Sequence, residues 1–150
     1  MKKLLIIVAT LWMGSAMAES QIYAEETLLV GTETIVSSNS PSKTYQVVFE
    51  DDKETGYFYG LDTSIKGNPI VDALHIYNVA SVTDKEKPSK IQIVCSGDGN
   101  KALLLINRYP HAAFDFTAKR GYCRTGFPPP SKNWSSEGHD WDDKVLGLFE

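Results

Sequence analysis

The fold of this chain is decided by residues 90–125, which read KIQIVCSGDGNKALLLINRYPHAAFDFTAKRGYCRT. Apolar and β-branched runs alternate here with short turn-forming segments, at residues 97–100, 107–110 and 118–121. This spacing is typical of strands that are joined by tight hairpins. We therefore predict an antiparallel meander, flat or curled, across this stretch.

The three turns also predict how the strands pair. Closing the first turn sets Cys95 opposite Ala102, and closing the second sets Asp115 beside Ala102. Closing the third sets Arg124 opposite Asp115, where the two side chains would form a cross-strand ion pair. In this register both faces of the sheet are apolar near its middle, so other parts of the chain must cover each face.

Further strand-like runs precede this stretch, at residues 27–30, 33–37, 45–49, 57–61 and 76–82. Asn68 and Pro69 can begin a short helix over residues 69–75, and Asp140 can cap a C-terminal helix. The predicted class is mainly β (α+β), in a single domain over residues 19–150. The N-terminal strands and the C-terminal helix are the segments available to cover the sheet.

The first eighteen residues have the pattern of a cleavable export signal. Lys2 and Lys3 precede an apolar stretch over residues 4–13, and residues 16–18 form the small-x-small site AMA. We expect export to the periplasm or the exterior, with a buried N-terminal helix as the alternative. No other run is apolar enough to cross a bilayer, so we expect no membrane insertion after the signal is removed.

Composition and charge restrict the partners. The chain is 42% hydrophobic and 23% charged, as in ordinary globular proteins. Removing the signal takes away two lysines and no acid, so the formal net charge changes from −4 to −6. The remaining basic residues are scattered, whereas binding to nucleic-acid phosphates requires clustered lysine and arginine. We therefore expect no binding to nucleic acid. The acidity would suit a basic protein partner, although a solvated surface that keeps the domain soluble is the more common explanation of such a charge.

The two cysteines, Cys95 and Cys123, leave two alternatives open. An oxidising compartment favours a disulfide between them. The predicted meander instead places them three strands apart, about 14 Å, which is too far for a bond. A Cys–His catalytic pair is disfavoured, because the same register places His111 about 13 Å along the strands from Cys95.

No residue pattern indicates a catalytic site, a metal site or a cofactor. His75, His111 and His139 are far apart in the sequence, and none has a second ligand at a metal-binding spacing. The sequence contains no nucleophile elbow, phosphate-binding loop or dinucleotide fingerprint. We therefore predict no catalytic residues, no bound metal and no cofactor.

Aromatic side chains are the candidate binding residues: Tyr57, Tyr59, Tyr109, Trp134 and Trp141. In a strand, Tyr57 and Tyr59 share one face and Phe58 lies on the other. If Phe58 is in the core, the two tyrosines form an exposed amphipathic patch that suits a protein or a sugar. The alternative is that the C-terminal segment covers this face.

Three segments carry a family resemblance. They read VFEDDKETGYFYGLD at residues 48–62, PIVDALHIYNV at 69–79 and KRGYCRTGFPP at 119–129. The block that contains them resembles a bacterial family known as domain of unknown function 2251. The resemblance implies a single compact domain and brings no catalytic residues with it.

The leading functional hypothesis is an exported, non-enzymatic binding module. It would be an inhibitor or immunity-type protein that neutralises a secreted or envelope enzyme. The alternative is a small envelope hydrolase or carbohydrate-binding domain, which would use carboxylates such as Asp115 or Asp140, with Trp134 and Trp141 as sugar platforms. A purely structural envelope protein is the third hypothesis.

Overall fold

The computed structural model describes residues 19–41 and 43–150, so the predicted export signal, residues 1–18, lies outside the described residues. Nine strands and two short 3-10 helices, η1 and η2, follow one another in the described part. Their bounds are β1 (Gln21–Leu28), β2 (Thr34–Asn39), β3 (Tyr45–Asp51), β4 (Thr55–Asp62), β5 (Ile70–Asn78), η1 (Val79–Ser81), β6 (Ser89–Cys95), β7 (Lys101–Ile106), β8 (Tyr109–Asp115), β9 (Arg120–Cys123) and η2 (Asp143–Phe149). The mainly β class is confirmed.

The strands form two antiparallel sheets that pack face to face. The first sheet has the order β1-β6-β7-β8-β9, and the second has the order β2-β3-β4-β5. Their inner faces share one buried core, to which both sheets contribute large side chains, among them Phe49, Phe58, Leu74, Ile93, Leu104 and Phe114. This arrangement is a two-layer sandwich, and the second sheet is the cover that the inner face of the meander needs.

The first predicted hairpin is confirmed and the second is wrong by one residue. Cys95 pairs with Ala102 as expected. The next connection is a two-residue turn in which Asn107 and Arg108 both have positive φ, at 53° and 67°. Such turns match the twist of the flanking strands. This turn and a β-bulge after Leu104 together pair Ala102 with Phe114, which places the Phe114 ring in the core.

The third predicted pairing is also wrong. Asp115 pairs with Arg120 rather than with Arg124, because the turn begins directly after β8. The Asp115 carboxylate accepts the main-chain N–H of Ala118 inside this turn, at 3.1 Å. The predicted ion pair with Arg124 is therefore absent.

The predicted helix over residues 69–75 is a strand, β5. Asn68 does accept a main-chain N–H, that of Ile70, as a helix cap would. Leu74 and Ile76, however, alternate with His75 and bury themselves in the core while the backbone pairs with β4. Pairing within the sheet thus outweighs the local capping signal.

The C-terminal helix is present as the 3-10 helix η2, and it begins later than predicted. Asp142, not Asp140, caps it by accepting the main-chain N–H of Lys144. Val145 packs on the outer face of the first sheet, in a second apolar cluster with Leu103 and Ala113. No helix among the described residues has the length and apolarity that crossing a bilayer requires.

Candidate functional site

The outer face of the second sheet belongs to neither apolar cluster. Two rows of side chains cross it from strand to strand, and Phe127 borders it beyond β5. We call this surface the aromatic face; its rows are Ile35, Glu50, Tyr57 and His75, and Ser37, Val48, Tyr59 and Ala73. Phe58 points to the opposite side and is fully buried, so both tyrosines face outward.

The rings of the aromatic face are in mutual contact. Tyr57 and Tyr59 stack with their centroids 5.8 Å apart. The His75 ring forms T-shaped contacts with the rings of Tyr57 and Phe127, with centroid separations of 5.4 Å and 6.0 Å. The main-chain N–H of His75 also donates to the carbonyl of Phe127, and its Nε2 lies 3.0 Å from the amide oxygen of Asn78. Rings held in this way lose little freedom when a partner binds.

Acidic groups lie at the same end of this face. Glu50 pairs with Tyr57 across the strands. Burial raises the pKa of the Tyr59 hydroxyl, and the negative charges of Glu50 and Asp52 raise it further. The main-chain N–H groups of Thr55 and Glu54 donate to Asp52 and lower the pKa of its carboxyl. No salt bridge within the described chain neutralises Glu50 or Asp52.

Tyr109 and Trp141 come together elsewhere, around Arg124. The Arg124 guanidinium lies 4.6 Å from the centroid of Tyr109 and 4.3 Å from that of Trp141. Its Nε donates to the carbonyl of Pro110 at 2.9 Å. The two aromatic side chains therefore hold an arginine of the chain itself, and among the described residues neither has a ring contact with the tyrosine pair.

Trp134 lies in a third place. Its ring meets Phe114 and Phe116 edge-on, at 6.2 Å and 6.1 Å, and packs against the main core. The five predicted binding residues are thus separated into three groups: Tyr109, which is 52% exposed, lies with Trp141 at Arg124, Trp134 packs against the core, and Tyr57 and Tyr59 form a stacked outward patch. Glu50, His75 and Phe127 join that patch without having been predicted. For His75, the sequence signal that could have placed it on this face is its alternation with the apolar residues of β5.

The two cysteines are free, buried thiols, so the disulfide alternative is not realised. Cys95 lies opposite Ala102 and Cys123 opposite Ala112, with β7 and β8 between the two cysteines. Burial raises the pKa of both thiols. Phe114 is the β8 residue that lies level with Cys95, because both pair with Ala102. His111 lies three residues before Phe114, about 10 Å along the strand, and the separation across β7 adds to this distance. This spacing does not form a Cys–His pair.

A buried aspartate–histidine pair is the other arrangement that resembles part of a catalytic site. His139 Nε2 lies 2.7 Å from the carboxylate of Asp72, and the two residues are 1% and 4% exposed. The second ring nitrogen, Nδ1, has no hydrogen-bond partner among the described residues, whereas a catalytic triad would place a nucleophile there. The pair instead ties β5 to the segment that follows β9. No metal-binding cluster of histidine, cysteine and acid occurs in residues 19–41 and 43–150.

A shallow cleft of about 340 Å³ lies between β9 and η2. Arg120, Tyr122, Trp141 and Lys144 are among its lining residues, together with Asp142. The Arg120 guanidinium lies 4.8 Å from the centroid of Tyr122 and its Nε donates to the carbonyl of Gly138. Because both signs of charge line the cleft, its chemistry does not favour one class of ligand.

Comparison with known proteins settles the family. Residues 28–150 match the model of a family described as "Uncharacterized protein conserved in bacteria (DUF2251)". The chain belongs to the DUF2251 family. An uncharacterized protein of Haemophilus influenzae is 44% identical to this DUF2251 chain over 116 residues, which are 75% of this chain and 72% of that protein. No solved structure matches. The resemblance expected from the sequence is confirmed.

Proposed function

We propose that this DUF2251 protein is an exported binding module that holds a basic partner protein against the aromatic face. The proposal rests on a difference between the two sheets in whether the outer face is covered. The C-terminal segment covers the first, whereas the second presents a stacked tyrosine pair to the outside. Aromatic residues are enriched at the centres of protein interfaces, where they contribute much of the binding energy.

The expected export supports a role in the cell envelope or outside the cell. The lysines, apolar run and AMA site of residues 1–18 are the features of Sec signals. A small exported module of this kind fits an inhibitor or immunity-type protein that neutralises a secreted or envelope enzyme.

Charge supports a basic partner over a second copy of the chain. Glu50 and Asp52 stand beside the tyrosine pair, and neither forms a salt bridge with another of the described residues. In a symmetric dimer through this face, the same acids of the two copies would approach one another, which is unfavourable. A lysine or arginine of a partner would instead find both a carboxylate and aromatic ring faces.

The sugar-binding alternative has less support. Tyr57 and Tyr59 stack against each other, so their inner ring faces are not free to form a flat platform for a sugar ring. Trp134 is half-buried against the core and Trp141 packs on Arg124. Of the two carboxylates named for a hydrolase, Asp115 is 8% exposed and is bonded within its own turn. Asp140 lies with Trp141 in the cleft between β9 and η2, whereas Asp115 and Trp134 are not among the residues that line this cleft.

A capture experiment tests the proposal. The processed protein is immobilised and exposed to an envelope extract of the source bacterium, in parallel with the double variant Tyr57→Ser, Tyr59→Ser. The matched control carries Tyr23→Ser and Tyr109→Ser, which replace two exposed tyrosines elsewhere. We expect one stoichiometric basic protein on the wild type and the control, bound roughly tenfold or more weakly by the face variant. Equal retention by all three proteins, or no retention by any, would overturn the proposal.

A further inference from the structure

Strand β2 forms one edge of the second sheet, and β3 is its one pairing partner among the described strands. Just beyond it, the main-chain N–H of Ser40 donates to the carbonyl of Tyr45 at 2.8 Å. The register from Thr34 to Asn39 is unbroken. Because main-chain bonding alternates along an antiparallel strand, the even-numbered residues of β2 also bond towards β3. The N–H and C=O groups of Ile35 and Ser37 therefore point away from the sheet.

The edge of β2 lacks the features that usually block strand addition. Its sequence, TIVSSN, has no charge and no proline, its pairing has no bulge, and Ile35 is 65% exposed. Natural edge strands are commonly protected by such features or by a covering segment. The exposed main-chain groups form a template for one more strand.

The other sheet edges are each modified. β1 has a bulge between Ile22 and Ala24 and carries two glutamates. On β9, the N–H of Cys123 donates to the carbonyl of His139. On β5, the N–H of His75 donates to the carbonyl of Phe127. Of the edges in the described part of the chain, β2 is the one that is both uncharged and regular.

We propose that the partner adds an extended segment to β2 as a fifth strand of the second sheet. The inference rests on the proposed function and names the way in which the partner is held. The segment carries lysine or arginine at alternate positions, with those side chains on the same side as the aromatic face. Strand addition of this kind takes its affinity from main-chain bonds and its specificity from alternate side chains.

The cross-strand rows explain the choice of basic residues. A partner residue beside Ile35 continues the row that contains Glu50 and Tyr57. It lies two strand spacings, about 10 Å, from the backbone of Glu50. The apolar stem of an arginine would pack on Ile35 while its guanidinium reaches the carboxylate. An acidic segment would meet Glu50 with like charge.

A designed peptide with the sequence acetyl-TRTRTRT-amide is the probe. Backbone amide exchange of the full processed protein is followed by NMR with and without the peptide. We expect the exchange of Ile35 and Ser37 to slow roughly tenfold or more at saturation, because exchange must wait for the peptide to leave. The amides of Val36 and Ser38, which already bond to β3, should change little.

Two control peptides separate main-chain pairing from charge. One has glutamate in place of every arginine, and the other has N-methyl groups on alternate amides, which removes the donors on one edge. The glutamate peptide should not protect Ile35 or Ser37. Of the two alternating N-methylation patterns, the one that blocks the edge facing β2 should abolish protection, and the other should leave it largely intact. The variant Ser37→Pro removes one outward N–H and should weaken binding of the parent peptide severalfold. The N-methylated peptides keep the test valid if that variant does not fold.

The outcomes distinguish this inference from the proposed function. Binding that shifts the signals of Tyr57 and Tyr59 but leaves exchange at β2 unchanged would overturn strand addition alone. Protection of β2, combined with a partner that the Tyr57→Ser, Tyr59→Ser variant captures normally, would support strand addition and overturn the role of the tyrosines. No binding of the arginine peptide at millimolar concentration would overturn the inference.

Discussion

One buried carboxylate, that of Asp51, joins three parts of the chain. It accepts the main-chain N–H groups of Gly31 and Lys53, each at 2.8 Å, and the hydroxyl of Tyr77 at 2.7 Å. Asp51→Ala leaves all three donors without this partner, and we expect the free energy of unfolding to fall by about 3–5 kcal/mol. Tyr77→Phe removes one donor and should cost about 1 kcal/mol. Urea unfolding measures both, and equal losses would contradict this account.

His111 gives the stability a predictable dependence on pH. Burial, together with the positive charge of Arg124, lowers the pKa of His111 to about 4. The unfolded chain takes up a proton on this residue near its ordinary pKa of about 6.5, before the folded chain does. Stability is therefore fully present above that pH and falls as the pH drops from about 6.5 towards 4.

The variant His111→Gln tests this titration. Between pH 7.5 and pH 5.0 we expect it to lose less stability than the wild type, by about 1 kcal/mol once solvent access to the ring is allowed for. Urea unfolding at both pH values gives the two differences. If the variant and the wild type lose the same amount, His111 is not the group that titrates.

Among the elements, η2 stabilises the fold by covering the outer face of the first sheet. Val145 is 4% exposed there, whereas its neighbour Lys144 faces solvent. Val145→Ser should lower the free energy of unfolding by about 2 kcal/mol, because it places a hydroxyl in an apolar contact and removes buried surface. Lys144→Ser is the matched control and should change it by less than about 0.5 kcal/mol. Thermal unfolding compares the two, and similar losses would show that η2 does not stabilise the sheet.

The elements also show which parts of the fold the residue pattern determines. The turn at residues 97–100 was predictable because four turn-forming residues separate two clear strands. The next turn was not, since Asn107 and Arg108 close it alone and the following residues already belong to β8. A bulge then shifts the register, and no local pattern marks its place. The helix at 69–75 failed because pairing with β4 is a tertiary effect.

On the scale of the whole molecule, the export signal predicts where the chain is cleaved. When the full chain is expressed in a bacterium with a Sec pathway, we expect the mature protein to begin at Glu19, because cleavage follows the AMA site. Ala18→Tyr places a bulky residue at that site and should leave the chain uncut. Intact mass and cell fractionation report both results. An uncut wild-type chain in the cytoplasm would contradict the prediction.

The candidate site was predictable only in part. Alternation along β4 places Tyr57 and Tyr59 on one side, and burial of Phe58 follows from the same alternation. Neighbours from distant strands could not be inferred, because which strand lies beside β4 depends on the assembled sheet. Glu50 and His75 reach the tyrosines through that assembly. The same holds for Arg124, which contacts the rings of both Tyr109 and Trp141.

The burial of Cys95 and Cys123 has a practical consequence. Both sulfur atoms are closed to solvent and neither is cross-linked. An alkylating reagent can therefore modify them only when the surrounding structure opens, so the rate of labelling counts openings of the native state. One cysteine ends β6 and the other ends β9. Mass spectrometry of the labelled peptides therefore compares how often two separate regions open, without any engineered residue.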